Sequence, residues 1–452
     1  MVKDISLNKQ IKNVMRLSVP AILTQVASIV MQYIDSAMVG ALGEEASAAI
    51  GLVISSTWVL GGVISAIAIG FAVQVAHLFG ANKKKDARNV LMHGIIVSTL
   101  ISLILTISCI LIAEPLPIWL NGDESILDDA TKYFLAYVLS MPFLMSMNLT
   151  SNVLQCSGNM VIPSILNAIM CFLDVVFNAI FIPKYGVLGA GIGTALSVVV
   201  VSIVSFVICA FMNKNLKLRK DDNYKLNKDI LKSALKIGTP IAIEQIAFCG
   251  AMVVTTVIIT TSIVGPLGNA SVAAHSFAIT AESLCYMPAF GVASAATTLV
   301  GQEIGRRNNK LAKRYGTISI ILGTLLMTLM AVIMYIACPL VFKMLTPSVT
   351  VQEISKRILR IGLLAEPLYA VSIVATGALR GAEDTFVPSL LNIISIWCVR
   401  IVLQIILTPK YGIDGVWIAM ATELSFRGIV LLIRNVTTKY YDRTKTLKLN
   451  EE

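Results

Sequence analysis

Two carboxylates and an amide stand out because the residues around them are apolar: Asp35 in VMQYIDSAMVG, and Asp174 and Asn178 in CFLDVVFNAI. An ionisable group kept at membrane depth costs free energy and is a functional candidate by default. The i, i+4 spacing of Asp174 and Asn178 places both on one helix face, where a carboxylate and an amide oxygen can coordinate a cation or share a proton. Two like carboxylates in one low-dielectric layer resist ionising together, which suits proton exchange. The bland reading makes each a structural acid bonded to a hydroxyl or a basic partner. No lysine or arginine sits at their depth in the first half of the chain.

That depth depends on the elements that carry them. The chain has 452 residues, 56% hydrophobic and 14% charged, with a mean hydropathy of +0.81. A soluble domain is roughly one-quarter charged. Apolar runs able to cross ~30 Å of hydrocarbon recur along the whole length. Six run from Val14 to Gly40, Ala46 to Phe79, Val90 to Ala113, Tyr133 to Cys156, Val161 to Ile182 and Val187 to Met212. Six more run from Ile237 to Ile263, Val272 to Val300, Ile318 to Phe342, Ile361 to Leu379, Phe386 to Thr408 and Ile413 to Ile433. At 1.5 Å per residue, Asp35 lies about 8 Å from the outer end of its span, Asp174 about 12 Å and Asn178 about 6 Å. Thr194 reaches ~10 Å in the sixth span. Together they predict one polar layer in the outer half of the first six helices.

The net charge of +10 follows from topology and not from nucleic acid. Lysines and arginines collect in alternate loops, as with Lys83, Lys84, Lys85 and Arg88, the stretch Lys214 to Lys236, and Arg306 to Arg314. Such loops stay cytoplasmic. The N-terminal residues with Lys3 and the tail with Lys445 and Lys448 share that side, so both termini are expected in the cytoplasm of a multi-pass inner-membrane protein. The first residues lack a short apolar core and cleavage site, so the first span is expected to stay in place. Lys356, Arg357 and Arg360 break the pattern.

The chain also repeats. RLSVPAI at Pro20 returns as KIGTPIA at Pro240, and Gly80 of GANKKKDAR matches Gly305 of GRRNNKLAKR. VIPSILN returns as FVPSLLN and PKYG as PKYG, with offsets between 220 and 226. Repeated halves mark secondary transporters. We expect an all-helical membrane protein of twelve helices in two pseudo-symmetric lobes around a central cavity: 1–213, a cytoplasmic linker 214–236, 237–436, and a cytoplasmic tail 437–452.

In the second half, Arg400 and Gln404 stand where Asp174 and Asn178 stand in the first. A C-lobe site would draw on Glu244, Glu282 and Arg400, although Arg400 paired with Glu282 or Glu423 as structural glue fits equally. The eight cysteines sit in or beside apolar runs without zinc spacing and read as inert. His77, His93 and His275 read as surface or packing residues. Pro20, Pro142, Pro163, Pro240, Pro288, Pro367 and Pro388 read as kinks. No Walker A, HExxH or GxSxG sequence occurs, which leaves an ion gradient as the energy source.

IDSAMVGALG at Ile34, DVVFNAIFIPKYGVLGAGIGTA at Asp174 and AAHSFAITAESLCYMPAFGVASAATTLVGQEIG at Ala273 resemble multidrug and toxic compound extrusion transporters over nearly the whole chain. That resemblance implies two six-helix lobes in a V around a cavity, exporting organic cations and drugs for sodium ions or protons. It implies that Asp35 centres a cation site completed by Asp174, Asn178 and Thr194, with sodium at the first three. Asn148 matches a fourth-helix asparagine, though it lies ~22 Å deep. Members of the NorM type carry a seventh-helix carboxylate further from its proline than Glu244 is from Pro240.

The expectation is therefore a monomeric antiporter in the lipid bilayer that exports organic cations or drugs, has no cofactor, and is not an enzyme. A lipid-linked oligosaccharide flippase of the same superfamily is the alternative, with Arg400 in its favour. An intramembrane enzyme would need a nucleophile beside a base, and a channel would not need duplicated lobes.

Overall fold

The computed structural model describes residues 6–120, 122–219, 224, 227–262 and 266–438. Lys3, Lys445, Lys448 and almost all of the expected tail lie outside them. All regular structure among the described residues is helical. In order the helices are α1 (Leu7–Gly40), α2 (Glu44–Gly80), α3 (Lys84–Ile112), α4 (Pro115–Trp119), α5 (Leu127–Cys156), α6 (Val161–Val207), α7 (Lys228–Ser262) and α8 (Pro266–Gly305). They continue with α9 (Asn309–Leu345), α10 (Val349–Leu363), α11 (Glu366–Gly381), α12 (Phe386–Ile394), α13 (Val402–Tyr411) and α14 (Ile413–Thr437). A π-helical turn, Ser395–Ile401, joins α12 to α13, and another, Ile208–Met212, ends α6. Helices are what apolar chain must form in hydrocarbon, because each backbone N–H and C=O is satisfied within its own segment.

Ten helical stretches among the described residues are long and apolar enough to cross a membrane, and eleven if α10 and α11, bent by 56°, form one span. One stretch, Val161–Met212, is 52 residues long, about 78 Å of helix against a ~30 Å hydrocarbon core. Gly186 breaks it with φ 58° and ψ −130°. Exposed stripes such as Leu100, Leu103, Ile104, Ile107 and Leu111 on α3 present an apolar surface that lipid covers.

The described residues form two compact units. One holds 26–242 with 301–307, the other 6–25, 243–300 and 308–438. In the first, Phe71, Leu91, Leu149 and Leu154 pack one core cluster, and Ile64, Phe134, Met141 and Met145 another. There the repeated glycines meet each other's helices: a Cβ on Gly80 would stand 1.9 Å from the Gln302 carbonyl oxygen, and one on Gly305 1.9 Å from that of His77. In the second unit Trp417, Phe342, Ile358 and Leu359 pack in one core cluster.

The structure refines several readings. Lys356, Arg357 and Arg360 lie on α10, which begins well before Ile361. Lys356 pairs with Glu353, Arg357 Nε donates to Asp414 Oδ1 at 2.9 Å, and the Arg360 guanidinium lies 4.8 Å from the Tyr335 ring centre. Pro163, Pro367 and Pro388 stand in the first turn of their helices, where no i−4 bond is lost; they start helices instead of kinking them. Pro20, Pro142, Pro240 and Pro288 are interior. Cys398 is exposed, whereas the other cysteines are buried or half-buried. His93 and His275 pack: His93 Nε2 accepts from the Asn227 backbone N–H, and His275 Nδ1 accepts from Trp417 Nε1.

Candidate functional site

Asp35 stands five residues before the end of α1, and Asp174 and Asn178 face it from α6. The Asn178 amide nitrogen donates to Asp35 Oδ1 at 2.9 Å and to Asp174 Oδ2 at 3.1 Å. Both oxygens bond to one nitrogen, so they are no more than about 6 Å apart. Asp174 and Asn178 are fully buried and Asp35 is half-buried. No lysine or arginine pairs with either acid among the described residues. Neutral amide donors leave the charge uncompensated, and an uncompensated carboxylate in low dielectric is costly.

The Asn178 amide oxygen faces Gly193. Asn178 Oδ1 is buried and accepts no hydrogen bond. Its room comes from Gly193, since a Cβ there would stand 2.1 Å from it. The two carboxylates supply oxygens of the kind that hard cations take as ligands. No group of three or more His, Cys, Asp or Glu is assembled among the described residues.

The remaining sixth-span contact comes from Ser197, which the sequence reading did not name. Its hydroxyl lies 3.5 Å from Asp174 Oδ1 and donates to the Thr194 carbonyl at 2.8 Å. Thr194 thus contributes its backbone. Asn148 bonds along its own helix, donating to the Leu144 carbonyl at 3.0 Å, and no hydrogen bond brings it to the trio.

The second half repeats this pattern with its charges rearranged. At offsets of 220 and 226, Asp35, Asp174, Asn178 and Ser197 correspond to Thr255, Arg400, Gln404 and Glu423. Thr255 Oγ1 donates to Gln404 Oε1 at 3.0 Å, as Asn178 bonds Asp35. Arg400 donates to Glu423 Oε2 through Nε at 3.0 Å and Nη2 at 2.6 Å, as Ser197 meets Asp174. Arg427 Nε completes the pair, 3.2 Å from Glu423 Oε1. An acid-rich layer in one half is an ion-paired one in the other.

Glu244 is also engaged. It accepts from Arg380 Nη2 at 3.1 Å, Ser389 Oγ at 2.6 Å and Asn392 Nδ2 at 2.7 Å. Three donors make it a structural anchor of α7 against α11 and α12. Glu282 is buried on α8, and its Oε1 has no hydrogen bond. The same holds for both oxygens of Glu366, a residue the sequence reading passed over.

A family model, MatE, matches residues 20–180 and 240–406, one copy in each half. The chain belongs to the MatE family. These proteins are membrane transporters, not enzymes. A probable multidrug resistance protein NorM of Thermotoga maritima is 28% identical over 445 residues, covering 96% of this chain and 93% of the relative. One from Oceanobacillus iheyensis is 27% identical over 455 residues, covering 96% and 98%. A multidrug resistance MATE family transporter of the MOP superfamily, solved in an outward-facing conformation, superposes with a TM-score of 0.90 at 21% identity, covering 96% and 97%. This MatE chain therefore carries the family's fold throughout.

Proposed function

We propose that this MatE protein is a secondary active multidrug efflux antiporter that exports organic cations or drugs in exchange for protons or sodium ions taken up at Asp35, Asp174 and Asn178. It works as a monomer of twelve spans in the inner membrane, both termini cytoplasmic, with no cofactor. The NorM relatives support the multidrug reading. The observation that carries the coupling is the pair of carboxyls held by one neutral amide with no basic partner among the described residues: such a layer gains stability when a cation or proton enters. A bound ion shifts a conformational equilibrium only through its differential affinity for the two states. Asp35, half-buried near a helix end, and Asp174, fully buried, are the groups whose surroundings can differ between them.

The flippase reading rests on Arg400 as a cation for pyrophosphate. Arg400 is buried and donates twice to Glu423 Oε2, so the geometry favours the antiporter.

The experiment is efflux of a fluorescent organic cation from proteoliposomes under an imposed proton or sodium gradient, comparing wild type with Asp35→Asn. Gradient-driven efflux in wild type that is lost in a folded variant is expected, and the effective gradient names the ion. Coupled efflux that survives in Asp35→Asn would overturn the assignment.

A further inference from the structure

The second unit carries a basic groove where the start of α1 meets the start of α9, with a volume of about 530 Å³. Lys310, Lys313, Arg314 and Thr317 line it from α9, at the i, i+3, i+4, i+7 spacing of a single helix face. Leu7 and the buried Gln10 line it from α1. Among the described residues no carboxylate lines it, and Lys310 has no hydrogen-bond or ion-pair partner. The first turn of α9 holds no acid either. A helix start carries the positive end of the macrodipole and favours negative charge, so cations gathered there are unfavourable until an anion offsets them.

The internal repeat offers a filled version of the same groove. At the offset of 225, Lys310, Lys313 and Ile318, which also lines the groove, correspond to Lys85, Arg88 and His93. In the first unit the linker occupies this position. Arg88 Nη1 donates to the Asn215 carbonyl at 3.5 Å, and His93 Nε2 accepts from the Asn227 N–H at 2.8 Å. Leu216 and Ile230, both fully buried, pack in the core cluster of Leu91. In the second unit Lys313 keeps the matching bond, to the Val436 carbonyl at 2.9 Å, while Lys310, Arg314 and Thr317 are exposed. The chain's own tail is a poor counter-anion, since residues 439–452 hold four basic and three acidic side chains.

Apolar surface continues from the groove along α9. Ile321, Leu325, Leu329 and Val332 follow Thr317 at three- and four-residue spacing, each more than half exposed. A cationic end running into a lipid-facing apolar stripe suits an amphiphile, with a phosphate at the cations and an acyl chain on the stripe. Free phosphate would use the cations and leave the stripe unused. Basic loops of this kind stay on the cytoplasmic side, where the leaflet surface is anionic and basic pockets between spans take phospholipid headgroups.

We propose that this groove binds an anionic phospholipid of the cytoplasmic leaflet, its phosphate held by Lys310 and Arg314 and an acyl chain lying along Ile321 and Leu325. The site is separate from Asp35, Asp174 and Asn178 and does not depend on what the protein transports.

The test uses the purified full chain in detergent, given dioleoyl phosphatidylglycerol or dioleoyl phosphatidylcholine, with bound lipids counted by native mass spectrometry. Wild type is expected to retain about one phosphatidylglycerol more than Lys310→Gln with Arg314→Gln, whose affinity should fall at least about tenfold through the loss of two cations at the membrane surface. Phosphatidylcholine retention should be the same in both. Lys84→Gln with Lys85→Gln removes equal charge beside the filled groove and should retain phosphatidylglycerol as wild type does. Lys310→Gln alone, with a smaller loss in the same direction, serves if the double variant does not fold. Equal phosphatidylglycerol retention with and without Lys310 and Arg314 overturns the proposal. An equal loss in the Lys84 and Lys85 control overturns it too, by reducing the effect to net charge, as does displacement of the lipid by inorganic phosphate, which would make this a site for a free anion.

Discussion

At the scale of single residues, the site depends on an absent side chain as much as on the acids. Gly193 lets Asn178 Oδ1 sit where a Cβ would be 2.1 Å away. Gly193→Ala forces Asn178 to rotate and breaks its bridge between Asp35 and Asp174. Overpacking of this kind costs about 1–3 kcal/mol. We expect a lower unfolding midpoint and at least a tenfold loss of gradient-driven efflux, with Gly40→Ala, which meets nothing within 4 Å, as the neutral control. Efflux and thermal unfolding measured on both variants decide it. Asp35, Asp174 and Asn178 were legible in the sequence because a charge within an apolar run is a local signal. Gly193 and Ser197 were not, since each matters only through a contact between helices distant in sequence. Glu366 was hidden for another reason: at a helix start beside Pro367, a carboxylate looks like an ordinary first-turn acid.

At the scale of elements, the repeat is more evident in the backbone than in the side chains. PKYG ends in Gly186 with φ 58° and ψ −130°, and in Gly412 with φ 58° and ψ −139°. Asn82 and Arg307, 225 apart, both have φ near 60°. At Gly186 and Gly412 a Cβ would meet nothing within 4 Å, so alanine there meets backbone strain without a clash. Such strain costs of order 1–3 kcal/mol. Gly186→Ala and Gly412→Ala should therefore lower the unfolding midpoint by similar amounts. Asparagine should not rescue either one, because the left-handed well it tolerates has ψ near +47°. Unequal shifts, or rescue by asparagine, would show that the two turns are not equivalent. Hydropathy made the spans legible, yet their joints were harder to read. The bend between α10 and α11 falls at Leu364 and Ala365, two apolar residues no turn rule would select, and α10 owes its place to Ile354, Ile358, Leu359 and Leu363, which pack in the core cluster of Trp417 only on folding.

At the scale of the whole molecule, duplication supplied one architecture and substitution gave its halves different electrostatics. The acid layer of the first half has no basic partner among the described residues; its counterpart in the second is closed by Arg400, Glu423 and Arg427. If that counterpart is structural, removing one member should hurt more than removing the pair. Arg400→Gln leaves Glu423, which is 0% exposed, with half its compensation, and breaking a buried pair costs about 3–5 kcal/mol. Replacing both partners removes the half-compensated carboxylate and leaves Arg427 against the Tyr369 ring, 5.4 Å from its centre, so Arg400→Gln with Glu423→Gln should recover part of that loss, as replacement of buried ion pairs often does. The double variant should also retain gradient-driven efflux, because neither residue binds the coupling ion in the first layer. A double-mutant cycle on unfolding midpoints, with efflux measured on the same four proteins, separates the outcomes. Recovered stability with intact coupling places ion uptake in the unpartnered acids. Recovered stability with coupling abolished would make the Arg400–Glu423 pair part of the transport cycle, and the division of labour between the halves would have to be redrawn.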